Sequence, residues 1–290
     1  MPFFVLKYML DYPHVKLFQE SQMAWLQDER ELPVWTYGEP HLSRDTPWLK
    51  AWGSPMLKAF GLSRLSIVDV RAADVFKLGH VPLAVNVPVQ AFKRHQQSPE
   101  KLAALLLEAG VDRSHEAVLV SDGGLNESSA LAFWTLESLG HGKVSVFMDS
   151  IERWAELGNE VARPAAAAAA GKPPEPSPAQ ARPLAADLRA NRLVTDPKSP
   201  QGLYPKVYVA SGAQLPARAP EGRVLHLPYA QFLNADGTPK AAKDIWNALA
   251  KAGLPRYAEI VVFADSLGEA AVNYVIFRMM GFADVKVWAP

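Results

Sequence analysis

Apolar positions along this chain come in two kinds: short unbroken runs, and longer stretches in which they recur every three or four residues. The runs read as strands buried on both faces of a parallel sheet, and the periodic stretches as the helices that cover it. The clearest succession is Val118 to Gly158. Ala117 to Val120 predicts a buried strand, Ser121 to Ser128 a polar loop, and Ser129 to Leu139 a helix. Gly140 and Gly142 end that helix, Val144, Val146 and Phe147 make the next strand, and Ile151 to Leu157 opens another helix with Trp154 on its apolar side. A polar loop therefore stands at the carboxyl end of a strand, where open α/β sheets place their sites. Successive N–H groups at such a helix N-terminus hold an anion without a basic side chain. Asp122 occupies the loop's nucleophile position.

The pattern extends in both directions. Leu65 to Val70 predicts the opening strand, Arg71 to Leu78 a short helical turn, and Gly79 to Pro88 a loop into another buried strand. Pro99 to Gly110 predicts an amphipathic helix with Leu102, Leu105, Leu106 and Ala109 on one stripe. Trp35 to Phe60, rich in Trp and Pro, reads as an arm laid over the surface. Between Arg163 and Pro183 a run of alanines too short to hold a helix gives way to prolines that favour extended chain, a semi-rigid linker. The earlier pattern then recurs: strand Lys206 to Ala210, Arg223 to Phe232 in the place of the Gly79 loop and strand, amphipathic helix Ala241 to Leu254, strand Glu259 to Ala264, and loop Asp265 to Ala271. Asp265 stands where Asp122 stood. A shorter echo lies at the N-terminus, where Phe4 to Phe18 superposes on Phe133 to Phe147 and on Tyr274 to Trp288, and Ser21 and Trp25 match Ser150 and Trp154. The expected division is a partial repeat or arm over 1–35, a domain over 36–162, the linker over 163–183 and a degenerate domain over 184–290.

Composition narrows the chemistry. The formal net charge is zero, with 30 basic and 30 acidic residues, and the Lys and Arg are scattered, so neither nucleic acid nor a membrane surface is expected as a partner. Met1 to Leu10 is apolar but interrupted by Lys7 and lacks a small-residue cleavage site, so neither a signal peptide nor a span is expected, and the compartment expected is cytoplasmic or periplasmic. The chain has no cysteine, which removes disulfides, thiolate metal sites and every cysteine nucleophile. The seven histidines show no spacing that suggests a metal site, and no cofactor is expected.

The order Ile67-Val-Asp-Val-Arg71, then Gly79 to Pro88, then strand, loop and helix, then Leu139 to Phe147 and a tryptophan helix, resembles the tandem rhodanese-domain sulfurtransferases. The resemblance is strong over Leu65 to Gly158, weaker over Val224 to Trp288, and reduced to a remnant over Phe4 to Val34. It implies an α/β fold of two rhodanese-like domains, each a mainly parallel central sheet flanked by helices, with a partial third repeat before them. In that family a cysteine opening the loop takes a sulfane sulfur from thiosulfate or mercaptopyruvate, holds it as a persulfide, and passes it on.

Carried over by position, the sulfur-bearing residues would be Asp122 and Asp265, and a carboxylate forms no persulfide. The binding loops implied are Gly123, Gly124, Asn126, Glu127 and Ser128 in the first half and Ser266, Gly268 and Glu269 in the second. Asp69, Arg71 and His80 are implied as supporting residues. Basic residues that would help bind an anion are missing from both loops. From the residues alone, Asp122 and Asp265 read foremost as helix caps filling their own N–H cradles, Asp69 with Arg71 as a structural ion pair, His80 as a loop-ordering residue, and Glu127 and Glu269 as solvated loop acids. The function expected is that of a catalytically silent rhodanese-like protein acting by binding or as the regulatory or scaffolding part of a sulfurtransferase assembly, with a protein partner and a small anion at the loop as a further ligand. The alternative is a sulfurtransferase whose cysteine lies in a preceding segment or a partner chain. A hydrolase using Asp122 is weaker, because no basic group or metal cluster accompanies it.

Overall fold

A computed structural model describes residues 36–163, 193–194 and 204–288. The expected N-terminal repeat and the body of the Ala/Pro linker lie outside these residues.

The first half builds a parallel sheet from five segments: β1 (Ser43–Arg44), β2 (Leu65–Asp69), β3 (Val85–Asn86), β4 (Glu116–Val120) and β5 (Val144–Phe147), in the spatial order β1-β5-β4-β2-β3. Its helices are α1 (Thr46–Trp52), α2 (Pro55–Ala59), α3 (Ala73–Leu78), α4 (Val89–Arg94), α5 (Pro99–Glu108), α6 (Glu127–Ser138) and α7 (Ile151–Glu156). The second half repeats the order with β6 (Leu193–Val194), β7 (Lys206–Ala210), β8 (Val224–His226), β9 (Glu259–Phe263) and β10 (Val285–Trp288), arranged β6-β10-β9-β7-β8 and again parallel. α8 (Ala242–Lys251) and α9 (Leu267–Met279) are its helices among the described residues.

The two sheets share the hydrogen bonds at the ends of their central strands. Val70 N donates to Val120 O as Ser211 N does to Phe263 O, each at 2.9 Å; Val87 N reaches Asp69 O at 3.0 Å as Leu227 N reaches Ala210 O at 2.9 Å. Ala210 and Gly212 therefore occupy the places of Asp69 and Arg71, and the second half has no counterpart of that ion pair. His226 keeps the job of Asn86: its Nε2 bonds Gly212 O at 3.0 Å where Asn86 Nδ2 bonds Arg71 O at 2.9 Å.

Two expectations are corrected. Residues 36–60 are not an arm over the surface: β1 joins the sheet edge beside β5, Leu42 and Leu49 are buried, and Asp149 ties the start of α1 by accepting from Thr46 N at 2.8 Å. The strand at Val85–Asn86 is a half-buried edge of two residues rather than a fully buried strand, because its other side has no sheet neighbour.

At the centre of the described residues lies the pair α6 and α9. Both are apolar around nearly their whole circumference, as a helix enclosed by neighbours must be, and almost every residue in them is buried. They lie against each other so that one apolar core runs through both halves, with Phe133 and Tyr274 in ring contact at 6.4 Å. At their C-terminal ends the buried Glu137 accepts from Tyr274 Oη at 2.5 Å and pairs with Arg278 at 3.3 Å, so the only carboxylate in α6's buried face is neutralised from α9.

His141, just past α6, is buried, and its Nε2 bonds His115 O at 2.9 Å. Burial pushes its pKa down, against the smaller opposing pull of that carbonyl. The unfolded chain takes up the proton near the ordinary histidine value while the fold resists it, so stability present at neutral pH is lost as pH falls below about 6.5, at a slope approaching about 1.4 kcal/mol per pH unit. Thermal melts between pH 7.5 and 5.5 check this: His141→Gln should flatten the decline by that share, and an unchanged profile would remove His141 as its source.

Candidate functional site: two facing loops

β4 delivers the chain to Ser121, and a six-residue loop ending at Asn126 leads into α6. Gly123 (φ 105°) and Gly124 (φ 63°) turn the loop through left-handed backbone that only glycine takes cheaply. Asn126, not Asp122, caps the helix: its Oδ1 accepts from Ser128 N at 3.0 Å and Ser129 N at 3.1 Å, and Ser129 Oγ accepts from Asn126 N at 3.1 Å, a reciprocal capping box. Asp122 is exposed, four residues upstream of the cap, because the double-glycine turn carries the chain away from it before the helix begins. Helix α6 consequently starts at Glu127, two residues before the apolar periodicity announces it, and Glu127 and Ser128 belong to its first turn.

The second loop is shorter. Only Ala264, Asp265 and Ser266 separate β9 from α9, so most of the expected loop to Ala271 is helix. Ser266 is the cap, its Oγ accepting from Glu269 N at 3.1 Å, and Asp265 beside it is exposed.

Because α6 and α9 lie side by side, their N-termini meet. Glu127 reaches across from the first half: Ser266 Oγ donates to its Oε2 at 3.3 Å and Tyr229 Oη to its Oε1 at 3.3 Å. The carboxylate lies so close to Gly268 that a Cβ there would come within 2.7 Å of Oε2. Glu269 stands on the other side, beside Gly212, and burial followed by the negative charge of Glu127 raises its pKa, with Asp265 adding to the rise. Tyr229 is likewise raised by burial and then by Glu127. The two glutamates are thus half-buried partners across the junction, not solvated loop acids.

The first cradle is filled in a different way. A turn of the second half, Asn234 to Thr238, presses on the double glycine: Leu125 N donates to Gly237 O at 2.8 Å, and Gly124 N is taken by Met148 O at 2.8 Å. The N–H groups of Gly124, Leu125, Asn126, Ser128 and Ser129 all have acceptors within the protein. An incoming anion would have to displace them, and it would meet Asp122, Glu127, Asp265 and Glu269 around the junction.

The supporting residues sit apart from this junction in a tight local network. Arg71 and Asp69 form a buried pair, with Nη2 to Oδ2 at 2.7 Å and Nε to Oδ1 at 3.0 Å, and Arg71 Nη2 also bonds Gly79 O at 2.8 Å. His80 stacks on Phe76 at 3.8 Å and bonds its carbonyl through Nδ1 at 2.9 Å, while its own backbone pairs with Ala162. These bonds hold the Gly79 to Val87 segment against the sheet. Trp154 packs edge-on against Phe147 and donates to Glu160 O at 2.7 Å. Tyr229, Met148 and Gly237 escape a sequence reading of the site. The Asp236-Gly237 pair signals a turn, but nothing local says what that turn rests on.

Among the described residues no group of three or more His, Asp or Glu is arranged to hold a metal ion, and no helix is long and apolar enough to cross a membrane.

Comparison with known proteins agrees with this architecture. Residues 56–157 match the rhodanese-like domain family. A Mycobacterium leprae protein named as a candidate thiosulfate sulfurtransferase is 26% identical over 206 residues, covering 67% of this chain and 73% of its own length. The sulfur carrier protein TtuD of Thermus thermophilus is 23% identical over 282 residues, covering 86% and 92%. The structure of SseA from Escherichia coli, described as a 3-mercaptopyruvate sulfotransferase of rhodanese fold, superposes with a TM-score of 0.63 at 18% identity, covering 85% of this chain and 97% of that one.

Proposed function

We propose that this chain, whose residues 56–157 match the rhodanese-like domain family and which has no cysteine anywhere in its 290 residues, is catalytically silent and works by binding, as the regulatory or scaffolding part of a sulfurtransferase assembly. The observation that carries the reading is the state of its two loops. Sulfur transfer by this fold needs a polarisable nucleophile above free N–H donors. Here Asp122 and Asp265 stand at the nucleophile positions, the N–H donors of Gly124, Leu125 and Asn126 in the first loop are bonded within the protein, and Glu127 lies over the start of α9. A hard, charged oxygen cannot accept a sulfane sulfur and repels thiosulfate as well.

What remains intact is the scaffold. The Asp69–Arg71 pair, both sheets and the α6–α9 core keep the shape of a sulfurtransferase without its chemistry, which suits a protein that occupies the place of an active relative in an assembly. The test is direct. The purified chain, given thiosulfate and cyanide, should form thiocyanate no faster than buffer alone. Turnover that follows protein concentration, or a persulfide mass on the chain, would end the proposal.

A further inference from the structure

A second surface stands apart from the loops, on α1 and α2 and the turn that follows. Trp52 is 55% exposed, Met56 66%, Phe60 73% and Leu62 65%, four large apolar side chains within eleven residues. The segment is one folded piece: Asp45 caps α1 through Trp48 N, Ser54 caps α2 through Leu57 N, Ser63 Oγ donates to Trp52 O at 2.8 Å, and Leu62 N bonds Leu57 O at 2.9 Å. The exposed side chains are therefore presented by ordered backbone.

Beyond the capping Asp45, the charge along this segment has one sign. Between Thr46 and Val68 the chain carries Lys50, Lys58 and Arg64 and no acid, and all three are exposed. The sheet adds to this. Leu65 lies opposite Glu116, and Ala117 opposite Val144, so Arg64 lies opposite His115 and Lys143 opposite Glu116 at the starts of three neighbouring strands, with Arg113 close by. The acids on this edge are engaged: Glu116 forms a two-pronged pair with Arg44 at 2.8 and 3.0 Å, and Asp112 accepts from Ser114 N at 2.7 Å and Ser114 Oγ at 2.8 Å. Cations that look scattered along the sequence are gathered by the fold on one edge, beside the apolar group.

We propose that this face docks on an anionic lipid surface, with Trp52, Met56, Phe60 and Leu62 entering the headgroup region and Lys50, Lys58, Arg64 and Lys143 held by lipid phosphates. Tryptophan favours that depth, and lysine keeps an ammonium in the aqueous layer while its stem lies along apolar surface. A protein interface of fixed geometry is depleted in lysine at its core and matches charges of both signs; a one-signed rim matches a surface whose negative charge is spread evenly. Peripheral attachment of this kind adds buried apolar area to electrostatic attraction and needs no spanning helix.

Co-sedimentation of the full chain with vesicles is the test. Phosphatidylglycerol vesicles should bind the chain at least about tenfold more than phosphatidylcholine vesicles, and about 0.5 M salt should abolish the difference. Trp52→Ser with Phe60→Ser should lower binding about tenfold, and Lys58→Glu with Arg64→Glu should do the same by removing only charge; both pairs should melt with the parent, since these side chains are exposed. The proposal is overturned if the parent chain stays off phosphatidylglycerol, or if both pairs bind as it does. It is equally overturned if the parent dimerises in solution and Trp52→Ser with Phe60→Ser abolishes the dimer, which would assign the face to a second copy of the chain.

Discussion

Asp265→Cys alone loads sulfur slowly, and adding Glu127→Gln accelerates it by about tenfold or more. The thiolate introduced at position 265 attacks the sulfane sulfur of thiosulfate, the S–S bond breaks, sulfite leaves, and the chain is left as a persulfide. Cyanide then removes the outer sulfur as thiocyanate and returns the thiolate. Two obstacles come from Glu127, whose Oε2 lies 3.3 Å from Ser266 Oγ and against Gly268. It repels the dianion, and it disfavours the thiolate that a helix N-terminus would otherwise stabilise. A unit charge at this range contributes about 1–4 kcal/mol at the effective dielectric of a partly exposed site, and 1.4 kcal/mol is already a factor of ten. Glutamine keeps the shape and an acceptor for Ser266 and Tyr229. The measurement is the persulfide mass and the thiocyanate rate of the single and double variants. Equal rates would show that the carboxylate is not what closes this loop.

Gly124→Ala should be among the most damaging single substitutions in the molecule, costing about 2–4 kcal/mol and about 5–12 °C in Tm. Its Cβ would stand 2.5 Å from the Gly237 carbonyl carbon and 2.7 Å from Gly237 Cα, atoms of backbone that no rotamer change can move. The turn must retreat, and the 2.8 Å bond from Leu125 N to Gly237 O goes with it, a loss of about 1 kcal/mol for the bond and as much again for left-handed backbone on a residue with a Cβ. Two other glycines separate these contributions. Gly61→Ala meets nothing within 4 Å but has φ 66°, and so should show the backbone strain alone; Gly142→Ala meets nothing and carries no positive φ, and should melt with the parent. If Gly124→Ala costs no more than Gly61→Ala, the turn at Gly237 does not hold the loop shut.

Both expectations concern contacts between residues more than one hundred positions apart, and this is where a sequence reading stops. The buried runs at Ala117 to Val120 and Ile260 to Phe263 identify themselves as strands because they are apolar on both faces, and α5 and α8 show their stripes. Sequence does not single out the caps because Asp, Asn and Ser compete on nearly equal terms for the position; the two glycines after Asp122 give the cap to Asn126, and beside Asp265 it falls to Ser266. The sheet edge within the arm expected over Trp35 to Phe60 is hidden from the sequence because its two residues, Ser43 and Arg44, leave no periodicity to see.

The succession of the central strands along each half, the position of the loops at the strand ends and the lack of a thiolate follow from local patterning and residue identity, since burial on both faces and the chemistry of a side chain are properties of a short stretch. That Glu127 lies over the start of α9, that Gly237 stoppers the double-glycine turn, and that Arg64 and Lys143 line one edge beside Trp52 and Phe60 depend on how the halves and strands come together. Such contacts are specified by the packing of α6 on α9 and by sheet register, which couple residues that no window along the chain contains.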